Sequence, residues 1–264
     1  MDNYAGNIWE KNYILQKGSK TNYRMKSYAV TDIGKKRAVN QDYVYNTDEK
    51  IGKFDNLYIV ADGMGGHNAG DMASRICVEN VCKSVAECEM ITPVSILEEA
   101  IRLAHRNVIE VAATSAEYDG MGTTIVAATV TDGVLYVANI GDSRLYLLRD
   151  SLEQITEDHS LVEEMVKSGE LSKENVRSHP NKNIITRAIG VGETVQADYF
   201  SLKLQKGDII LMCSDGLTNM VEDIDIEYTI KSNREEPEKA MNDLLAKAND
   251  AGGKDNITIL IAKM

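Results

Sequence analysis

The sequence predicts an α+β fold in which mostly antiparallel sheets are covered by helices. Two observations carry this prediction. Segments rich in Val, Ile, Thr and Tyr follow one another along most of the chain, the composition of half-buried or fully buried strands. Helical periodicity is concentrated in three long stretches, two of them adjacent. Strand next to strand favours antiparallel pairing with helices laid outside, and disfavours a doubly wound parallel sheet, in which strands and helices alternate.

The elements follow in order. KSYAVT (26–31), DYVYN (42–46) and NLYIVAD (56–62) read as strands. A glycine-rich turn leads into helical period over 69–86, with Met72, Ala73, Ile76, Val81 and Val85 on one stripe. In 95–113, Leu97, Ala100, Ile101, Ala104, Val108 and Val111 recur at helical spacing, which predicts a second amphipathic helix. Strand composition returns at 122–131, 134–142 and 143–150, and Asp-Gly at the centre of TDGV (131–134) predicts a tight hairpin. Short helices are expected before strands at 198–204 and 207–215. A helix at 236–250, with Pro237 in its first turn, precedes a last strand at 256–264.

With 43% hydrophobic residues, three prolines and no Ser/Pro-rich linker, residues 25–264 are expected to form a single domain around one set of cores. Residues 1–24 are polar and irregular and read as a tail of uncertain role. No apolar run approaches the roughly 20 residues of a spanning helix, and the start of the chain lacks the basic-then-apolar order of an export signal. None of the four cysteines forms a Cys-x-x-Cys pair; Cys77, Cys82 and Cys213 lie in apolar stretches and read as reduced core residues. A cytoplasmic protein is expected. A net charge of −12 argues against unassisted binding to nucleic acid or an anionic membrane.

Five aspartates stand at the mouths of predicted strands. Asp62, Asp142 and Asp215 close apolar runs, Asp255 precedes one, and Asp42 begins one. A single aspartate in such a place is most simply a turn former. Several on rigid supports would repel: two charges at 4 Å cost about 4 kcal/mol at an effective dielectric near 20. Such a cluster calls for a cation, and hard carboxylate oxygens select Mg²⁺ or Mn²⁺. The glycines in DGMGG, after Asp62, would let backbone come close to a metal. Neither the P-loop pattern nor Gly-x-Gly-x-x-Gly occurs, so a nucleotide cradle is not expected.

DIGKKRAVNQD, VADGMGGHNAGDMAS, MGTTIVAA, VANIGDSRLYLL, ITEDHSLVEEMVKSGEL, ITRAIG, CSDGLT and GGKDNITILIA resemble, in order, the motifs of the bacterial metal-dependent serine/threonine phosphatases, the type 2C family. The resemblance covers Met25 to Met264. It implies two packed antiparallel sheets with helices on both outer faces, and hydrolysis of phosphoserine and phosphothreonine in proteins without a covalent enzyme intermediate. It implies two Mn²⁺ or Mg²⁺ ions, bridged by Asp62, with the Gly63 carbonyl serving one and Asp215 and Asp255 the other. Asp142 matches the residue that joins Asp215 at a third, weaker metal. Arg37 matches the position that grips the substrate phosphate, and Asp42 the acid that orients the attacking water. Residues 158–189 match a variable flap beside the active site.

Two positions depart from many eukaryotic members: Gln41 replaces a glutamate, and Met64 replaces a histidine proposed as general acid. A thioether has no proton to give. His67 in the glycine loop is a candidate for that role or for fixing the loop. His105 reads as a surface or core-edge residue, His159 as shaping the segment after its strand, and His179 as part of a polar loop. By resemblance, the partners are phosphoproteins and a serine/threonine kinase whose action the enzyme reverses; a monomer is expected. The same residues would also serve a phosphatase of small metabolites; the other alternative is a non-catalytic phosphoprotein-binding member, against which the presence of all the main metal positions argues.

Overall fold

The computed structural model describes residues 24–66 and 69–264. The tail up to residue 23, and His67, lie outside the described residues. Among the described residues, eleven strands form two antiparallel sheets. The first contains β1 (Lys26–Asp32), β11 (Ile257–Lys263), β10 (Ile209–Cys213), β7 (Arg144–Leu148) and β8 (Leu152–Gln154), in that order. The second runs β2 (Asp42–Thr47), β3 (Leu57–Met64), β5 (Ile125–Thr131), β6 (Val134–Ile140), β9 (Asp198–Lys203), with the short β4 (Gly122–Thr123) paired to the end of β3.

Strand side chains alternate between faces, so a strand buried on both faces feeds two cores. In β3, Leu57, Ile59 and Ala61 enter one core while Tyr58 and Val60 enter another. The central core lies between the sheets, where Tyr58, Val60, Val126 and Ala128 meet Leu145, Ile210, Met212 and Leu260. The second core holds α1 (Ala69–Glu87) and α2 (Pro93–Ala112) against the β2–β3–β5 sheet through Cys77, Val81, Leu97 and Ile101. The third holds α5 (Asp223–Ser232) and α6 (Pro237–Asp250) against the other sheet through Ile226, Ile230, Ala240 and Leu244. Each fully buried aliphatic side chain contributes about 1.5–3 kcal/mol. The predicted α/β/β/α sandwich is therefore the observed one.

The expected hairpin forms, with Asp132 at φ 53° and Gly133 at φ 74°, the paired positive angles of a type I′ turn. The predicted stripe of α2 is buried from Leu97 to Val108, and Thr92 caps the helix by accepting from the Ser95 N–H at 3.2 Å.

Several boundaries differ from expectation. The 122–131 segment is two strands, broken at Thr124. Asp62 lies inside β3 rather than at its end, because β4 extends the pairing to Gly63 and Met64. The 134–142 strand stops at Ile140, since Gly141 adopts φ 103°. The 207–215 strand stops at Cys213, and Asp215 opens α4 (Asp215–Thr218). The sequence reading missed β8 and α5. The first is three residues long with no buried residue; the second leaves Ile224 and Tyr228 exposed, which blurs its period.

Candidate active site

At one end of the two packed sheets, the loops and strand ends enclose a cavity of about 250 Å³. Its lining includes Arg37, Asp62, Gly63, Asp142, Asp215 and Asp255, six of the seven residues singled out from sequence. The seventh, Asp42, is buried beneath it. Asp42 and Asp62 are directly opposed across the β2–β3 pair. Like charges in that relation are destabilising.

Each carboxylate is held by its neighbours. The Ser214 and Thr258 hydroxyls both donate to Asp42 Oδ2 at 2.7 Å. Among the described residues, Asp42 Oδ1 is buried with no hydrogen-bond partner, and so is Asp215 Oδ1. Asn219 donates to the other oxygen of Asp215 at 2.9 Å. The Asp62 N–H donates to Thr124 Oγ1 at 2.9 Å, and that hydroxyl also meets Ser143 Oγ at 2.8 Å. Gly63 cannot be replaced by a larger residue without a shift: a Cβ there would lie 2.0 Å from the Gly70 carbonyl oxygen.

The electrostatics follow from this crowding. Burial, reinforced by Asp42 and Asp215, pushes the Asp62 carboxyl well above its usual range. Burial does the same to Asp215, reinforced by Asp142 and Asp255. Asp42 is raised to about 6 by burial, against the lowering effect of its two hydroxyl donors. Asp142 is raised to about 6 by burial and by Asp158, against Arg144. Protein alone does not neutralise this cluster. A divalent cation would, and the two orphaned carboxylate oxygens and the close-packed Gly63 backbone fit a site for one.

Among the described residues, no three acidic, His or Cys side chains are already gathered as a closed cage. Arg37, whose position implies a grip on the substrate phosphate, pairs here with one of these acids: its Nη2 lies 2.7 Å from Asp255 Oδ2. Both side chains are partly open to solvent, so this contact is a weak competitor of any cation.

Sequence reasoning missed the residues that position these carboxylates. Asn256 is the main one. Its side chain accepts from the Gln41 N–H at 2.8 Å and donates to the Ile33 and Val39 carbonyls at 3.0 Å. It thereby fastens the loop bearing Arg37 to the start of β11. A Cβ on Gly216 would lie 1.8 Å from the Asn256 carbonyl oxygen, which explains the small residue after Asp215. His159 fixes the turn before Asp142: Nδ1 accepts from the Gly141 N–H at 3.1 Å, and Nε2 lies 3.0 Å from Asp198. His105, expected at the surface or the core edge, is buried, and its Nδ1 accepts from the Gly190 N–H at 3.1 Å. Among the described residues the cavity lining contains Met64 and no histidine.

A cleft of hard carboxylate oxygens between two antiparallel sheets, with one arginine at its rim, defines a cation-assisted hydrolase of anionic substrates. The chain belongs to the protein phosphatase 2C family, which it matches over residues 34–248. It is 42% identical to the serine/threonine phosphatase Stp of Listeria innocua over 240 residues, 88% of this chain and 93% of that protein. Its fold is similar to that of the Streptococcus agalactiae serine/threonine phosphatase, with a TM-score of 0.83 and 37% identity over 91% of this chain and 99% of the other. It is also similar to the catalytic domain of the phosphatase PstP in complex with two manganese ions, with a TM-score of 0.79 and 31% identity over 90% and 97% of the two chains.

Proposed function

We propose that this serine/threonine protein phosphatase works through two divalent cations, Mn²⁺ or Mg²⁺, held by Asp62, the Gly63 carbonyl, Asp215 and Asp255, with Asp142 and Asp215 serving a third, weaker position. The observation that carries this reading is the convergence of Asp62, Asp142, Asp215 and Asp255 on one cavity above the opposed pair Asp42 and Asp62. When bound, the cations supply Lewis acidity, activating water as the nucleophile and neutralising phosphoryl charge.

The chain's own residues do the rest. Arg37 releases Asp255 and turns its planar guanidinium to two phosphoryl oxygens, a match lysine lacks. Asp42, with Oδ2 fixed by Ser214 and Thr258, presents Oδ1 to orient the attacking water and accept its proton. Cysteine catalysis has no support: no cysteine lines the cavity, and burial pushes the Cys77 and Cys213 thiols up, away from the reactive thiolate.

Residues 25–264 act as a single catalytic domain. The substrates are phosphoproteins, and the partner reaction is that of a serine/threonine kinase. A monomer in the cytoplasm, free of nucleic acid and membrane, fits the free cysteines Cys77, Cys82, Cys88 and Cys213 and the net charge of −12. Among the described residues no helix is long and apolar enough to cross a membrane. The test is hydrolysis of a phosphothreonine peptide with Mn²⁺ or Mg²⁺. EDTA should abolish turnover, and added metal should restore it. Full activity in chelator would overturn the proposal.

A further inference from the structure

Ser74, in the second turn of α1, is completely buried. Its Oγ lies 2.6 Å from the Gln41 carbonyl oxygen and 3.2 Å from the Asp71 carbonyl oxygen of its own helix. A hydroxyl has one proton to donate, and the shorter contact takes it. The Gln41 carbonyl also accepts from the Gly63 N–H at 3.1 Å, so both of its lone pairs are used. On its other flank, the Gln41 N–H donates to Asn256 Oδ1 at 2.8 Å. The backbone of one residue therefore meets β3 at Gly63, the start of β11 at Asn256, and α1 at Ser74.

These contacts exist because bulk is missing around them. A Cβ on Gly63 would lie 2.0 Å from the Gly70 carbonyl oxygen and 2.5 Å from that of Gln41. A Cβ on Gly70 would lie 2.8 Å from the Gly63 carbonyl carbon. Gly70 and Ser74 are four residues apart and share a face of α1. Gly70 lets the helix backbone touch β3, and Ser74, one turn on, binds the Gln41 backbone.

We propose that Ser74 is a positioning residue of this phosphatase: by holding the Gln41 carbonyl against α1, its hydroxyl fixes the Gly63 backbone and so aims the Gly63 carbonyl at a cation in the cavity. The inference rests on the cation reading of the site. Glycine has the widest backbone freedom of any residue, so the direction of the Gly63 carbonyl depends on what grips its peptide groups. The grip on its N–H is the Gln41 carbonyl, and Ser74 ties that carbonyl to a helix nineteen residues long.

The test compares Ser74→Ala with Thr129→Val. Thr129 is as deeply buried, and its Oγ1 donates to the Asn56 carbonyl at 2.8 Å, at the opposite end of β3 from Gly63. Calorimetry should find Mn²⁺ bound about three- to tenfold more weakly by Ser74→Ala, the scale of one neutral hydrogen bond. The Mn²⁺ concentration that half-activates hydrolysis of para-nitrophenyl phosphate should rise in proportion. By NMR in Mg²⁺, the Gly63 amide should exchange at least about threefold faster relative to that of Val60. Thr129→Val should lose stability in urea and keep wild-type Mn²⁺ affinity. Wild-type Mn²⁺ affinity in Ser74→Ala, or unchanged exchange at Gly63, overturns the positioning role. So does an equal loss of Mn²⁺ affinity in Thr129→Val, since the effect would then be a general loosening. Asp62→Asn, titrated alongside, separates the two readings. If it too binds Mn²⁺ as wild type does, the cation reading falls; if it binds weakly while Ser74→Ala binds normally, only the role of Ser74 falls.

Discussion

On one side of Asp142 and Asp215, four lining carboxylates and the buried Asp42 face a single arginine. On the other side, Asp158 and Glu222 each have an arginine within 2.9 Å. The contrast separates two uses of buried charge. Where a protein cation sits opposite each acid, the pair is part of the fold and its cost is met internally. Where acids face acids, the folded chain is incomplete, and the missing charge has to come from solution.

The contrast is broken most severely at Asp62. Asp62→Asn, and likewise Asp215→Asn, should lower kcat by at least about 100-fold in saturating Mn²⁺, because nucleophile activation and charge neutralisation fail together. The same variants should be no less stable than wild type in EDTA, since a repulsive charge has gone; denaturant unfolding measures this. Near-normal turnover in Asp62→Asn would remove its proposed role as a cation ligand.

On the paired side the outcome reverses. Asp158→Asn leaves the largely buried Arg144 without its counter-charge and should cost about 2–3 kcal/mol of stability, read by urea unfolding. Catalysis by the folded variant should fall far less than in Asp62→Asn. An Asp158 variant as stable as wild type would mean that the two sides do not differ in kind.

Arg37 belongs to both descriptions, as it pairs with Asp255 and is proposed to leave it for substrate. Arg37→Ala should raise KM by about 1.5–3 kcal/mol in equivalent binding energy, with Arg37→Lys recovering part of it. Because the guanidinium competes with a cation at Asp255, calorimetry should find metal affinity unchanged or slightly tighter. Weaker metal binding with an unaltered KM would make Arg37 a support of the metal ligands rather than a phosphate contact.

The smallest effect is on stability against pH. The raised carboxyls, Asp42 and Asp142 at about 6 and Asp62 and Asp215 higher, keep protons that the unfolded chain has already released. Stability in EDTA should therefore fall as pH rises from about 4 through 6 and beyond. Saturating Mn²⁺ should flatten that fall, because bound cations hold the same groups ionised at little cost. Thermal melts at a series of pH values check both, and a flat profile in EDTA would contradict the unneutralised cluster.

Much of the fold was legible in the chain because strand and helix periods are local. The stripe from Leu97 to Val108 and the Asp-Gly hairpin needed only neighbouring residues to be read. Of the seven site residues, Asp62, Asp142, Asp215 and Asp255 announced themselves by ending or preceding apolar runs. Their gathering into one cavity was an inference from repulsion and resemblance until the sheets were seen to stack.

Other features had no local signal. Asn256 reads as an ordinary polar residue before a strand, yet it binds the loop that carries Arg37, more than 200 residues away in sequence. Asp42 lies 172 and 216 residues from the hydroxyls of Ser214 and Thr258 that fix it. The break at Thr124 follows from β4 pairing with Gly63, a contact across the whole of α1 and α2.

The layers, the apolar faces and the excess of hard acids at strand ends can be read from periodicity or residue type alone. Which acids face one another and which face arginines emerges when the sheets stack. That distinction depends on strand register and loop crossing, because a carboxylate's charge state is set by the groups within a few ångströms of it, wherever in the chain they lie.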